Sequence, residues 1–224
     1  MANLLPTSNG KKLIITASLL VLKISLTAAF FSLASGKAMA FSEPEFQAAF
    51  QQFSTASGAE ERAAESFAAL LKKEPANPLL MAYSGAATSR LASVTSLPWK
   101  KMSYAEEGMA MLDKALQLVA ASEAEMHGTI PVAMEVKFVA ANTFLAVPGF
   151  MNRGPRGAKL LAEVVEHKQF DQTALGFRGA VWIRAARLAL EQKRNEDAKR
   201  YLNAVIQNGA PQAEAAKGLL KGVA

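Results

Sequence analysis

Beyond residue 41, apolar and polar side chains do not alternate in the β-branched runs typical of strands, and Ala, Leu, Glu, Gln and Lys are abundant. This usage favours helix almost throughout. The sequence predicts helices near residues 43–54, 58–73, 78–92, 102–120, 131–146, 155–167, 172–192, 195–207 and 211–221. We therefore expect one all-α domain over residues 41–224.

Helix-start chemistry recurs at the predicted boundaries. Three segments fit a capping box, in which a Ser hydroxyl and a Glu three residues later satisfy unpaired backbone N–H groups: Ser42 to Glu45, Ser57 to Glu60 and Ser103 to Glu106. Asn77 precedes Pro78, which places a capping side chain before a proline at the first helical position.

Small and large apolar residues also recur in a fixed order. Residues 182–189 (WIRAARLA) keep the spacing of the tetratricopeptide pattern W-x2-L-G-x2-Y, and residues 198–202 (AKRYL) keep the spacing of A-x3-F. Residues 63–67 (AAESF) match A-x3-F as well and are followed by a proline. Over most of residues 44–210, the chain resembles the tetratricopeptide-like α-solenoid family.

That resemblance implies a right-handed superhelical stack of antiparallel helix pairs, with about four repeats and a capping helix at 211–221. The implied repeats start at Pro44, Pro78, Ala133 and Gly179, so they are 34, 55 and 46 residues apart. Only the first spacing matches the family period of ~34 residues. Insertions are therefore expected in residues 91–101, 119–130 and 147–157. An irregular helical bundle is the alternative architecture.

Tetratricopeptide stacks bind extended peptides in a groove lined by the first helix of each repeat. Carried onto the matching positions, the resemblance implies nine groove-facing residues: Leu79, Ala82, Ala86, Met134, Lys137, Phe144, Ile183, Arg187 and Leu190. Apolar side chains with scattered positive charge would suit a protein or peptide partner that has hydrophobic anchors and some acidic residues.

The positive charge of the chain is concentrated at its start. The formal net charge is +6, from 25 basic and 19 acidic residues. Residues 1–40 contain four lysines and no acid, so 21 basic and 19 acidic residues remain over 41–224, a net charge of +2. This near balance argues against a nucleic-acid surface.

Residues 1–40 have the organisation of a bacterial secretory signal peptide. Lys11 and Lys12 form a positive region, residues 24–34 form an apolar run, and Ala38-Met39-Ala40 fits a small-x-small cleavage site. The alternative is an uncleaved inner-membrane anchor over residues 13–34, which would place Lys23 near the middle of the bilayer at a cost of about 3 kcal/mol. We expect an exported periplasmic protein that contacts a membrane only if the leader is retained.

The sequence offers little catalytic chemistry. The chain has no Cys and two His, which excludes disulfides, Cys-ligated metals and a Cys nucleophile. Glu163 and His167 lie four residues apart, but no third ligand is near in sequence, so a solvated helix face is the simpler interpretation. His127 lies in a polar segment and is predicted to be a surface residue. No enzymatic activity, cofactor or metal is expected.

Two segments could recognise a partner. Trp99 and Tyr104 flank Lys100 and Lys101 at a predicted helix entrance, either as an exposed recognition loop or as a clamp that holds the loop on the following helix. In residues 147–157 (VPGFMNRGPRG), Arg153 and Arg156 precede a helix start, where they could hold an anion or simply belong to a long turn.

The last predicted repeat is strongly basic. Residues 177–200 contain seven basic and three acidic side chains. They form either a surface for an acidic peptide or an ordinary solvated face.

Together, the features of the sequence predict a non-catalytic exported scaffold that binds protein. The rival hypotheses are a helical solute-binding accessory protein of a transport system and a membrane-anchored assembly factor.

Overall fold

The computed structural model describes residues 41–55, 57–120 and 125–223, and this part of the chain is predominantly helical. The helices are α1 Glu43–Ser54, α2 Glu60–Lys73, α3 Pro78–Val94, α4 Pro98–Val119, α5 Val132–Ala146, α6 Gly154–Val165, α7 Leu175–Glu191, α8 Asn195–Gln207 and α9 Ala213–Leu220. The all-α prediction is confirmed. The predicted leader lies outside the described residues.

Three short elements interrupt the helices. Strands β1 (Met126–His127) and β2 (Ile130–Pro131) form an antiparallel hairpin, and single 3-10 turns cover Gly149–Met151 and Phe170–Gln172. The hairpin turns at Gly128, whose φ of +58° lies in the left-handed region that glycine adopts without steric cost. The sequence did not predict this hairpin, because two-residue strands are too short to show alternation.

Capping chemistry explains several helix starts. The Asn77 side chain accepts hydrogen bonds from the backbone N–H groups of Leu79 and Leu80 at 3.0 and 3.2 Å, and α3 begins at Pro78 as predicted. At α1, the backbone N–H of Ser42 donates to Glu45 Oε2, which confirms that capping box.

The other two capping predictions were wrong. Helix α2 begins at Glu60, so Ser57 is not its cap, and α4 begins at Pro98, five residues before Ser103. Proline at the first helical position explains the early start of α4, because its fixed φ suits a helix and its missing N–H would be unpaired there anyway. Only residues 95–97 separate α3 from α4, so 91–101 is not an inserted loop.

Each helix packs on the next one in sequence, and α3 also contacts α5. The backbones of α3 and α4 approach closely at their crossing, since a Cβ added to Gly85 would lie 2.7 Å from the Gly108 carbonyl oxygen. Ala63 and Phe67 on α2 are buried, as are Ala198 and Leu202 on α8. The small–large pairs identified in the sequence therefore do pack helices together.

Candidate binding cleft

A cleft of about 620 Å³, here called the central cleft, lies among α1, α3, α5, α7 and the β-hairpin. Each of the four helices is the first member of a sequential pair. Lining side chains include Phe46, Phe50, Tyr83, Phe138, Phe177 and Arg187. The volume falls within the range of ~300–1,000 Å³ that is typical of ligand sites.

Aromatic rings form one wall of the central cleft. The Tyr83 ring on α3 lies 5.2 Å from Phe46 and 5.7 Å from both Phe50 and Phe53 on α1, in edge-to-face arrangements. Phe177 on α7 also lines the cleft, and its ring lies 5.3 Å from that of Phe138 on α5, again edge-to-face. Edge-to-face contacts fix ring orientation, so this wall is preorganised for an apolar ligand group.

A chain of polar side chains lies beside the cleft, near the N-termini of α1 and α5. Tyr83 Oη donates to Glu135 Oε1 at 2.7 Å, His127 Nδ1 lies 2.8 Å from Glu135 Oε2, and His127 Nε2 lies 3.2 Å from Glu43 Oε2. Glu135 is buried, and His127 is mostly buried on the hairpin. This chain connects α3, α5, the hairpin and α1.

These contacts shift two ionisation equilibria. Hydrogen bonding to the Glu135 carboxylate raises the pKa of His127, more than burial lowers it, and the charges of Glu135 and Glu43 act in the same direction. Burial, together with the neighbouring carboxylate, raises the pKa of Tyr83 well above its ordinary value. The prediction of His127 as a surface residue was wrong, because Glu135 and Glu43 are distant from it in sequence.

Basic residues from α7 also line the central cleft. Arg184 Nη1 lies 3.3 Å from Glu191 Oε1, whereas Arg187 is exposed and has no ion-pair partner among the described residues. Arg187 therefore adds positive charge to the cleft that contains the aromatic wall. This is the part of the basic run in residues 177–200 that reaches the cleft.

A second cleft of about 630 Å³ adjoins the central one. The two share Phe53, Asn142 and Thr143 as lining residues. Along the second cleft Phe150 is 74 % exposed and Met102 is 40 % exposed, so apolar surface continues towards the 3-10 turn at 149–151. Together the clefts form an extended, largely apolar depression.

Three of the nine predicted groove residues line a cleft. Ile183 and Arg187 line the central cleft, and Ala86 lines the second. Lys137 instead forms a 2.8 Å ion pair with Glu163 on α6, and Leu190 is half-buried without lining either cleft.

The remaining groove predictions were wrong, because those side chains are buried in the core: Leu79, Ala82, Met134 and Phe144. Helix α3 is covered by α2, α4 and α5, so most of its surface is buried. Phe144 packs against α6, where a Cβ at Gly157 would lie 3.1 Å from the Phe144 Cβ. Helix α5 faces the cleft through Glu135, Phe138 and Val139 instead.

The recognition-segment candidates separate into two groups. Trp99 is 68 % exposed in the first turn of α4, Lys100 and Lys101 are exposed, and Tyr104 is half-buried. Trp99 therefore does not clamp the segment onto the helix, and of these four residues only Lys101 lines the second cleft.

Arg153 and Arg156 are engaged within the fold. Arg153 Nη1 lies 3.0 Å from Asp113 Oδ2, Arg156 pairs with the other oxygen of the same carboxylate, and both guanidinium groups lie 5.3 Å from the centre of the Phe144 ring. Their charges are shared with Asp113, so they join α4 to the start of α6 and are not arranged as an anion site.

No metal site emerges within the described ranges. They contain no group of three or more His, Cys, Asp or Glu side chains placed to hold a metal ion. His167 Nδ1 accepts a hydrogen bond from the Gln169 backbone N–H at 3.2 Å, and Glu163 pairs with Lys137. Over the same residues, no helix combines the length and apolarity needed to cross a bilayer.

Comparisons with protein-family models, curated proteins and solved structures found no match for this chain.

Proposed function

We propose that the protein is a non-catalytic, exported binding module whose central cleft holds an extended peptide segment of a partner protein. The observation that carries this proposal is that an aromatic wall and the exposed Arg187 line the same cleft, both on first helices of sequential pairs. The wall suits aromatic or aliphatic anchors of the peptide, and Arg187 suits an acidic residue next to them.

The tetratricopeptide-like resemblance agrees with this proposal. In such a stack, the first helices of successive pairs line the peptide groove, and α1, α3, α5 and α7 are the helices that border the cleft. The right-handed superhelix, the periplasmic location and the scaffolding of an envelope assembly belong to the same proposal. Retention of residues 13–34 would make the protein a membrane-anchored assembly factor instead.

Charge reversal tests the peptide-binding proposal. Fluorescent peptides of about ten residues, with aromatic anchors and either acidic or amide side chains between them, are titrated with the protein and followed by anisotropy. We expect the acidic series to bind more tightly and Arg187→Glu to abolish that preference. Arg200→Glu is the matched control, because Arg200 is exposed on α8 and lines neither cleft. Equal binding of both series to the native protein would contradict the proposal.

A small-ligand site is the second candidate function. It is favoured by the size of the central cleft, about 620 Å³, and by the polar chain of Tyr83, Glu135 and His127 in its lining. A compact aromatic ligand with a hydrogen-bonding group would fit this arrangement. Saturable binding of such ligands, with no affinity for peptides, would favour this function over the first.

A further inference from the structure

Phe41 is the first described residue, and both its side chain and its backbone nitrogen have defined partners. The side chain is 4 % exposed, and its ring lies 5.7 Å from that of Phe46. The backbone nitrogen lies 2.6 Å from Glu74 Oε1, at the end of α2. Phe41 is thus attached to the core through both its ring and its backbone nitrogen.

The Glu74 carboxylate is held in position by the following helix. Its Oε2 accepts a hydrogen bond from Asn77 Nδ2 at 2.9 Å, and Asn77 itself caps α3. One oxygen is therefore directed at Phe41 N while the other is engaged by Asn77. The acceptor for Phe41 N is fixed by the fold.

Residue 41 is also where the small-x-small motif Ala38-Met39-Ala40 places a cleavage. We propose that Glu74 is the acceptor for the α-ammonium group that appears on Phe41 when the Ala40–Phe41 bond is hydrolysed. Water supplies a hydroxyl to the Ala40 carbonyl carbon as its bond to nitrogen breaks. The Phe41 nitrogen gains a proton from that water and a second from the solvent, while Ala40 leaves as a carboxylate.

Processing would then strengthen a contact that the fold already provides. A hydrogen bond to a carboxylate becomes stronger when its donor also carries a positive charge, because the two charges attract each other. The N–H of an intact Ala40–Phe41 peptide carries no formal charge, whereas the ammonium group does. Because Phe41 is buried, cleavage precedes final packing of this residue, and the packed ammonium group completes the fold of the mature protein.

The test uses the full chain expressed in an exporting bacterium and purified from the cell envelope. Intact mass and N-terminal sequencing should show a protein that begins at Phe41. The acylation rate of its α-amine by an amine-selective reagent should then be about tenfold lower than in Glu74→Gln, equivalent to about 1.4 kcal/mol. Glu65→Gln, an exposed substitution on the same helix, is the control and should leave the rate unchanged.

Glu74→Asp keeps the charge but shortens its reach, so it should give an intermediate rate, and it keeps the test decisive if the Gln variant does not fold. Equal acylation rates in native protein and Glu74→Gln, or a first residue other than Phe41, would overturn the inference. The inference rests on the proposed export but not on peptide binding. A protein retaining Met1 would contradict export as well, whereas equal rates on a chain that begins at Phe41 would contradict the ion pair alone.

Discussion

The hydroxyl of Tyr83 donates a 2.7 Å hydrogen bond to the buried carboxylate of Glu135, and this bond joins α3 to α5 beside the central cleft. Tyr83→Phe would leave one oxygen of Glu135 without this donor. We expect the free energy of unfolding to fall by about 1–3 kcal/mol, the usual cost of an unsatisfied buried polar group. Urea denaturation measures it. The matched control is Tyr201→Phe, at a half-exposed position on α8. This substitution should lower the free energy of unfolding by less than about 0.5 kcal/mol.

The contribution of His127 to stability should depend on pH. The pKa of His127 is raised in the folded protein above its ordinary value of 6.5, which applies to the unfolded chain. Protonation of the ring therefore favours the folded state. The stabilisation is complete below pH 6.5 and is lost as the pH rises through the folded value. The difference in unfolding free energy between native protein and His127→Gln should therefore shrink from pH 5.5 to 8.5.

A difference that is constant or grows with pH would show that the imidazolium contacts with Glu135 and Glu43 do not stabilise the fold. His167→Gln controls for the loss of an imidazole elsewhere, since His167 has no carboxylate partner among the described residues.

The α3–α4 crossing should not tolerate a methyl group at Gly108. A Cβ there would collide with the Gly85 carbonyl oxygen and with Ser89, whose backbone nitrogen would lie 2.8 Å away. We expect Gly108→Ala to lower the unfolding free energy by about 3 kcal/mol, because backbone atoms cannot move aside cheaply. Gly218→Ala on α9 meets nothing within 4 Å and should instead stabilise by about 0.5–1 kcal/mol. Thermal or urea unfolding of the two variants compares them directly.

Substitution of one aromatic residue in each cleft can show which cleft binds the peptide. Phe177→Ala removes a half-buried ring from the central cleft, and Phe150→Ala removes an exposed ring from the second. If the central cleft holds the peptide anchor, Phe177→Ala should weaken peptide binding about tenfold, while Phe150→Ala should change it less than threefold. Isothermal titration of the tightest peptide found by anisotropy provides the measurement. The reverse order would move the anchor site to the second cleft.

Local chemistry explains which parts of the fold the sequence could predict. Asn77 and Pro78 act on backbone groups within three residues, and their helix start was predicted correctly. Ala63 and Phe67 share one helix face, so their packing role followed from spacing alone. Trp99 was harder to interpret, because a helix start at Pro98 and one at residue 102 are both compatible with the local sequence.

The site depended on contacts that spacing does not encode. His127 and Glu43 are 84 residues apart, and Tyr83 and Glu135 are 52 apart, so no local pattern connected them. The groove prediction failed at Met134 and identified neither Glu135 nor Phe138, because the rotation of α5 is set by its contacts with α3, α4 and α6. An aligned family would supply such contacts, whereas a single degenerate repeat pattern supplies only approximate helix faces.

The glycine contact between α3 and α4 also has a consequence for the order of folding. The two helices are separated by three residues, so their interface forms at little loop-closure cost and can nucleate the domain as soon as both are synthesised. Neighbouring helices can then pack on either side of this pair. The amides around Gly85 and Gly108 should accordingly exchange with deuterium more slowly than those of α1 and α9, the first and last of the described helices.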